Sequence, residues 1–149
     1  MTDWDQRFLD TARFVSTWSK DSTQVGAVIF NPTTRSILSL GYNGFPRGVN
    51  DTHWERKERP LKYSFTVHAE TNAIYNAARH GITLEGMGIA IPWYPCSGCA
   101  GDIIQSGIRK VVCYLPDFSD PRWGADFKTS DVMFYEAGLE VITKSLEGK

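Results

Sequence analysis

Apolar residues at Trp4, Phe8, Ala12, Val15 and Trp18 recur every three or four positions. That spacing predicts one helix over residues 3–19 with a single buried stripe. "QVGAVIF" follows as a short, almost unbroken apolar run and predicts a buried strand, closed by a turn at "NPTT". "RSILSLGYN" predicts its antiparallel hairpin partner. From Gly44 to Thr66 the periodicity dissolves into Gly, Pro and charge, which predicts a long ordered loop with room for one short helix. A loop of that length inside a compact domain is usually functional or mobile. Helical spacing resumes at Val67 and runs to about His80, where Gly81 stops it. "MGIAI" predicts a strand, "SGCAGDIIQSG" a helix ending at Gly107, and "IRKVVCYL" a strand. "SDVMFYEAG" predicts a helix ending at Gly138, and "LEVITKS" a last strand.

The latter half thus alternates helix and strand, the pattern of parallel strands joined by helical crossovers, after an antiparallel hairpin at the start. The expected fold class is α/β: three layers, α/β/α, around a mixed five-stranded sheet. No repeat, low-complexity tract or linker interrupts the chain, so residues 1–149 are expected to form one domain.

Composition narrows the function. The formal net charge is −1. Without a basic excess, polynucleotide binding is disfavoured, because neutralising phosphates needs clustered Lys and Arg. A small free substrate is the better expectation. No stretch reads as a signal peptide or a membrane span, and "VGAVIF" is too short to cross a bilayer. The chain has three cysteines, an odd number, and two of them sit three apart. That usage points to a reducing compartment, hence the cytoplasm, and to a metal or redox pair rather than a disulfide framework. Cys113, inside "VVCYL", reads as a small hydrophobe.

Cys96 and Cys99 fall at the expected start of a helix, where i and i+3 share a face. The positive helix end there favours thiolates, the form that binds zinc. His68 offers a third donor at the start of another helix. At about 100° per residue, His68 and Glu70 would diverge in mid-helix. They serve one pocket only if His68 sits at the helix mouth, so two helix N-termini would converge on one metal. Three protein ligands leave a tetrahedral position open, which marks a catalytic site. Glu70 is then the carboxylate left to carry protons. A redox dithiol remains an alternative for the Cys pair, but it leaves His68 and Glu70 unexplained. His-x-Glu followed by Pro-Cys-x-x-Cys is the signature of zinc deaminases acting on nucleobases.

On "HAETNAI" and "PCSGCA" the chain resembles the cytidine deaminase-like superfamily. "SKDSTQVGAVIF" and "GYNGFPRGVND" make it similar to the deoxycytidylate (dCMP) deaminase branch. The resemblance implies hydrolytic deamination of dCMP to dUMP, with one zinc per chain held by His68, Cys96 and Cys99 and with Glu70 as proton shuttle. It also implies that backbone near Ala69 and Pro95 meets the pyrimidine edge, that Asn43 bonds the sugar, and that Phe118 covers the base. Lys20 and Ser22 would meet the 5′-phosphate. Relatives in this branch are often hexamers regulated by dCTP and dTTP, which makes Gly44, Arg47 and Arg79 effector or interface candidates. The loop before "HAE" holds only His53, where some relatives carry ligands for a second zinc. Trp93 and Tyr94, in "IAIPWYPC", depart from the branch pattern and are expected to reshape the pocket rim. Deamination of another carrier (cytidine, dCTP, a free base or tRNA adenosine) and a zinc-stabilised binding module without turnover are the competing functions.

Overall fold

The computed structural model describes residues 1–146. A five-stranded sheet runs in the order β2-β1-β3-β4-β5. Its strands are β1 (Gly26–Phe30), β2 (Ile37–Tyr42), β3 (Gly88–Ile91), β4 (Lys110–Tyr114) and β5 (Glu140–Lys144). β1 pairs antiparallel with both β2 and β3, while β3, β4 and β5 are mutually parallel. The helices are α1 (Trp4–Ser16), α2 (Lys62–Phe65), α3 (Ala69–Arg79), α4 (Ser97–Gln105) and α5 (Gly124–Ala137). The α/β expectation with a mixed sheet of five strands is met.

Alternation along β1 sorts the core into two layers. Val28 and Phe30 face α1, where Phe8, Leu9, Ala12 and Val15 close one side. Phe8 stacks on Phe30 with ring centroids 4.0 Å apart. Ala27 and Ile29 face the other way, with Ala69, Ala73 and Ala77 of α3, Ala100 and Ile103 of α4, and Phe134 of α5. The small alanines let α3 lie close on the sheet. Gly41 completes that approach: a Cβ there would stand 2.4 Å from the Ala73 nitrogen. The "GYNG" glycine at 41 therefore serves helix–strand packing.

Several boundaries differ from expectation. α1 ends at Ser16, because the Ser16 and Thr17 hydroxyls turn back onto the Ala12 and Phe14 carbonyls at 2.9 and 2.6 Å. Trp18 therefore falls outside the helix, 47% exposed. The 44–66 loop holds two short helical pieces instead of one: a 3-10 turn, Trp54–Lys57, and α2. α3 starts at Ala69 rather than Val67, since Val67 is held extended by exchanging both backbone hydrogen bonds with Gly44 (2.8 and 3.1 Å). α5 begins at Gly124, six residues before Ser130 where the apolar spacing begins. Asp120 accepts the Trp123 N–H at 2.9 Å and turns the chain into the helix. Tyr94 is a core residue rather than a rim: it is 5% exposed and meets Phe118, Phe127 and Phe134 edge-on.

Candidate metal centre and active site

Two helix starts build the site. His68 is the residue before α3, with extended backbone (ψ 155°), and its side chain makes no cap hydrogen bond. Cys96 stands in the same position before α4 (ψ 166°), also without a side-chain cap, just beyond the carboxyl end of β3. The side chains at these two capping positions are turned toward each other instead of onto their own helices. The His68 Nδ1 atom lies 3.3 Å from Cys99 Sγ and 3.5 Å from Cys96 Sγ. All three donor atoms lie within 4.8 Å of one another. Tetrahedral zinc with bonds of about 2.0–2.3 Å separates its ligands by about 3.5 Å, so the donor set fits this ion in both element type and spacing. Among the described residues, His68, Cys96 and Cys99 are the one group of this kind, which fits one zinc per chain.

Proton positions follow from the neighbours. The Cys96 thiol is drawn down to about 4, first by the hydrogen bond from Cys99 and then, against the cost of burial, by His68. Cys99 moves the other way, pushed up by its bond to Cys96 and by burial. His68 is raised, chiefly by its bond with Cys96. Glu70 lies in the first turn of α3 and is 5% exposed. Burial raises its carboxyl above the ordinary range, and the nearby His68 charge only partly offsets that. A carboxyl raised in this way holds a proton more readily than an exposed one, which suits a proton carrier. Thr71 donates to Asp102 Oδ2 at 2.8 Å, tying α3 to α4 beside the sulfurs.

The sequence profile of the cytidine and deoxycytidylate deaminase zinc-binding region matches residues 2–115. The chain belongs to this family. A deaminase of Aliivibrio fischeri, described as uncharacterized and encoded in the luxG 3′ region, is 48% identical over 141 residues, covering 93% of this chain and 91% of its own. The mouse deoxycytidylate deaminase is 36% identical over 124 residues, covering 79% and 68%. Among solved structures, the apo dCMP deaminase of cyanophage S-TIM5 superposes with a TM-score of 0.73 at 26% identity, covering 94% of this chain and 96% of that one.

The other residues singled out in this deaminase-family sequence fall into four places. Lys20, Ser22, Asn43 and Gly44 line one cavity of about 360 Å³, together with Trp18, Tyr42 and Lys57. The Gly44–Val67 bridge joins its wall to the residue before His68. Asn43 already spends its amide on the backbone, accepting from Val25 N at 2.9 Å and donating to Thr23 O at 2.7 Å. Lys20 pairs with Asp51 at 3.1 Å. Ala69 and Pro95 are buried beside the metal ligands that follow or precede them. Phe118 lies 36% exposed in the loop after β4, packed edge-on against Tyr94. Arg47 and Arg79 lie apart, on the surface: Arg47 bonds Asn76 of α3 at 2.7 Å, and Arg79 ends that helix.

Sequence reasoning missed Lys62 and Asp21, which form an ion pair of 2.7 Å on the cavity wall with side chains 11% and 9% exposed. Lys62 is masked in the sequence by the charged run around it. It also missed Asp126, which binds Ser97 beside the cysteines. No motif marks that residue.

Proposed function

We propose that this chain hydrolyses the 4-amino group of dCMP, giving dUMP and ammonia. One observation carries the reading: a buried, proton-competent Glu70 sits on the same helix start as His68, where that start meets Cys96 and Cys99. When bound, zinc supplies Lewis acidity that brings the pKa of a coordinated water to about 7. Glu70 takes a proton from water and delivers it to N3 of the ring as C4 becomes tetrahedral. It then takes the proton of the new C4 hydroxyl and delivers it to the departing amino group, leaving a C4 carbonyl, so that one water is consumed and one ammonia released. Buried backbone at Ala69 and Pro95 presents the ring edge, Phe118 covers the base, and Asn43 faces the sugar. Lys20 and Ser22 meet the 5′-phosphate on a cavity wall where Lys20 and Lys62 are paired with Asp51 and Asp21 and Lys57 adds a further cation. The relatives described as deoxycytidylate deaminases support the choice of nucleotide.

Glu70→Gln tests this. The variant keeps its zinc and loses at least about 10²–10⁴-fold in turnover, read by the ultraviolet change of dCMP, with cytidine and dCTP run beside it. Near-normal turnover of the variant refutes the role of Glu70, and equal rates on cytidine refute the phosphate wall.

The chain further acts in the cytoplasm as a hexamer, activated by dCTP and inhibited by dTTP, with Gly44, Arg47 and Arg79 at effector or subunit contacts. None of its helices among the described residues is long and apolar enough to cross a membrane. Flat response curves to both nucleotides, or a monomer on sedimentation, remove this part without touching the chemistry.

A further inference from the structure

The residues on either side of Cys96 are both fastened to α5. Before it, the Pro95 carbonyl accepts the Ser130 hydroxyl at 2.8 Å, and Ser130 is fully buried. After it, Ser97 gives both its backbone N–H (2.9 Å) and its hydroxyl (2.7 Å) to the two carboxylate oxygens of Asp126. Asp126 and Ser130 are four apart, so they share one face of α5. A third tie joins Tyr94 to Asp131 at 3.0 Å. These ties fill a specific need. Cys96 occupies the capping position of α4 but makes no cap bond with its side chain. The first N–H groups of a helix have no partner of their own and need an outside acceptor. Asp126 supplies it from another helix, as a charge-assisted acceptor at a positive helix end. α5 lies beyond the 2–115 stretch that the family profile covers.

We propose that Asp126 is a positioning residue for the metal centre: from α5 it fixes the turn that carries Cys96 and Cys99, with Ser130 as the second hold. The claim rests on zinc binding by His68, Cys96 and Cys99, which metal analysis of the unaltered protein tests separately. Partners that orient metal ligands typically change metal affinity by about 10–100-fold when removed.

The test is the rate at which a chromogenic chelator strips zinc from the loaded protein, well below its melting temperature. Asp126→Ala should release zinc about 10–100-fold faster. Asp126→Asn should stay near the parent, because its amide can accept from the Ser97 N–H and donate to the Ser97 hydroxyl. Arg109→Ala is the control. Arg109 holds the far end of α5 through the Ala137 and Gly138 carbonyls at 3.1 and 3.0 Å. It should lower the melting temperature and leave zinc release alone. Release at the parent rate in Asp126→Ala, or equally fast release from Arg109→Ala, overturns the proposal. If Asp126→Ala does not fold, Ser130→Ala decides: faster release supports the brace, and the parent rate refutes it.

Discussion

Replacing Gly41 by alanine tests the seating of the active-site helix on the sheet. The added Cβ would stand 2.4 Å from the Ala73 nitrogen and 2.5 Å from the Ala69 carbonyl oxygen, where ordinary contact begins at 3.4 Å. Both neighbours are backbone, so no side chain can swing aside. α3 must move off β2 by about 1 Å. Overfilling a packed interior costs about 1–3 kcal/mol. At about 2–4 °C per kcal/mol for a chain of this size, the melting temperature should fall by about 2–12 °C. The same shift carries His68 and Glu70, which ride on the start of α3. Misplacing a catalytic group by about 1 Å can cost about 10²-fold in rate. Calorimetry and turnover of dCMP measure the two effects. Gly44→Ala, in the same "GYNG" motif, is the contrast, since a Cβ there meets nothing within 4 Å, and its melting temperature should not fall. A Gly41→Ala protein with unchanged melting temperature and unchanged turnover would refute the close approach of α3 to β2.

Two further outcomes depend on pH. For Asp21, burial is the largest single influence and opposes ionisation, but the hydrogen bonds from Lys62, the Thr23 N–H and Ser22 together with the Lys62 charge outweigh it, and its carboxyl is lowered from the ordinary 3.8. A lowered folded value means the pair stabilises the protein above about pH 4 and ceases to do so as pH falls through the folded value. Asp21→Asn should therefore flatten the acid limb of a melting-temperature profile. It should also destabilise the neutral protein, toward the about 3–5 kcal/mol lost on breaking a buried pair; an unaltered acid limb would count against the pair. Zinc binding should expel protons, because Cys99 and His68 both hold theirs more firmly than usual. Cys99 should give up its proton on binding, and His68 adds to the release wherever it is still protonated, so the number released per zinc should fall as pH rises. Calorimetry in buffers of different ionisation enthalpy counts them, and a binding heat that does not depend on the buffer would contradict the donor assignment.

What could be read from the sequence was what lies close along it. The strands announced themselves as short apolar runs, and His68-x-Glu70 and Cys96-x-x-Cys99 each encode their geometry within one helical turn. Recognising that the two motifs meet required the deaminase signature as well as their spacing. The ties between distant segments left no local trace. Asp126 is 29 residues from Ser97, and Lys62 is 41 from Asp21. Neither pair belongs to a periodic pattern, so both looked like solvated charges. The role of Gly41 is hidden for a different reason. A glycine chosen for backbone freedom and one chosen for its missing Cβ are written with the same letter, and only the helix lying above it tells them apart. The start of α5 was missed because "GADFK" carries no apolar rhythm, its register being set by Asp120.

His68 is separated from Cys96 by 28 positions and from Cys99 by 31. The intervening chain holds α3, which carries Glu70, and β3, the middle strand of the sheet. A metal joining those ends works as a clasp on that whole loop, and a ligand that binds only the folded state deepens the folded state's free energy by mass action. Cofactor loading and the durability of the sheet's central strand are then one property, and scarcity of the metal would be felt as fragility of the fold as well as loss of chemistry.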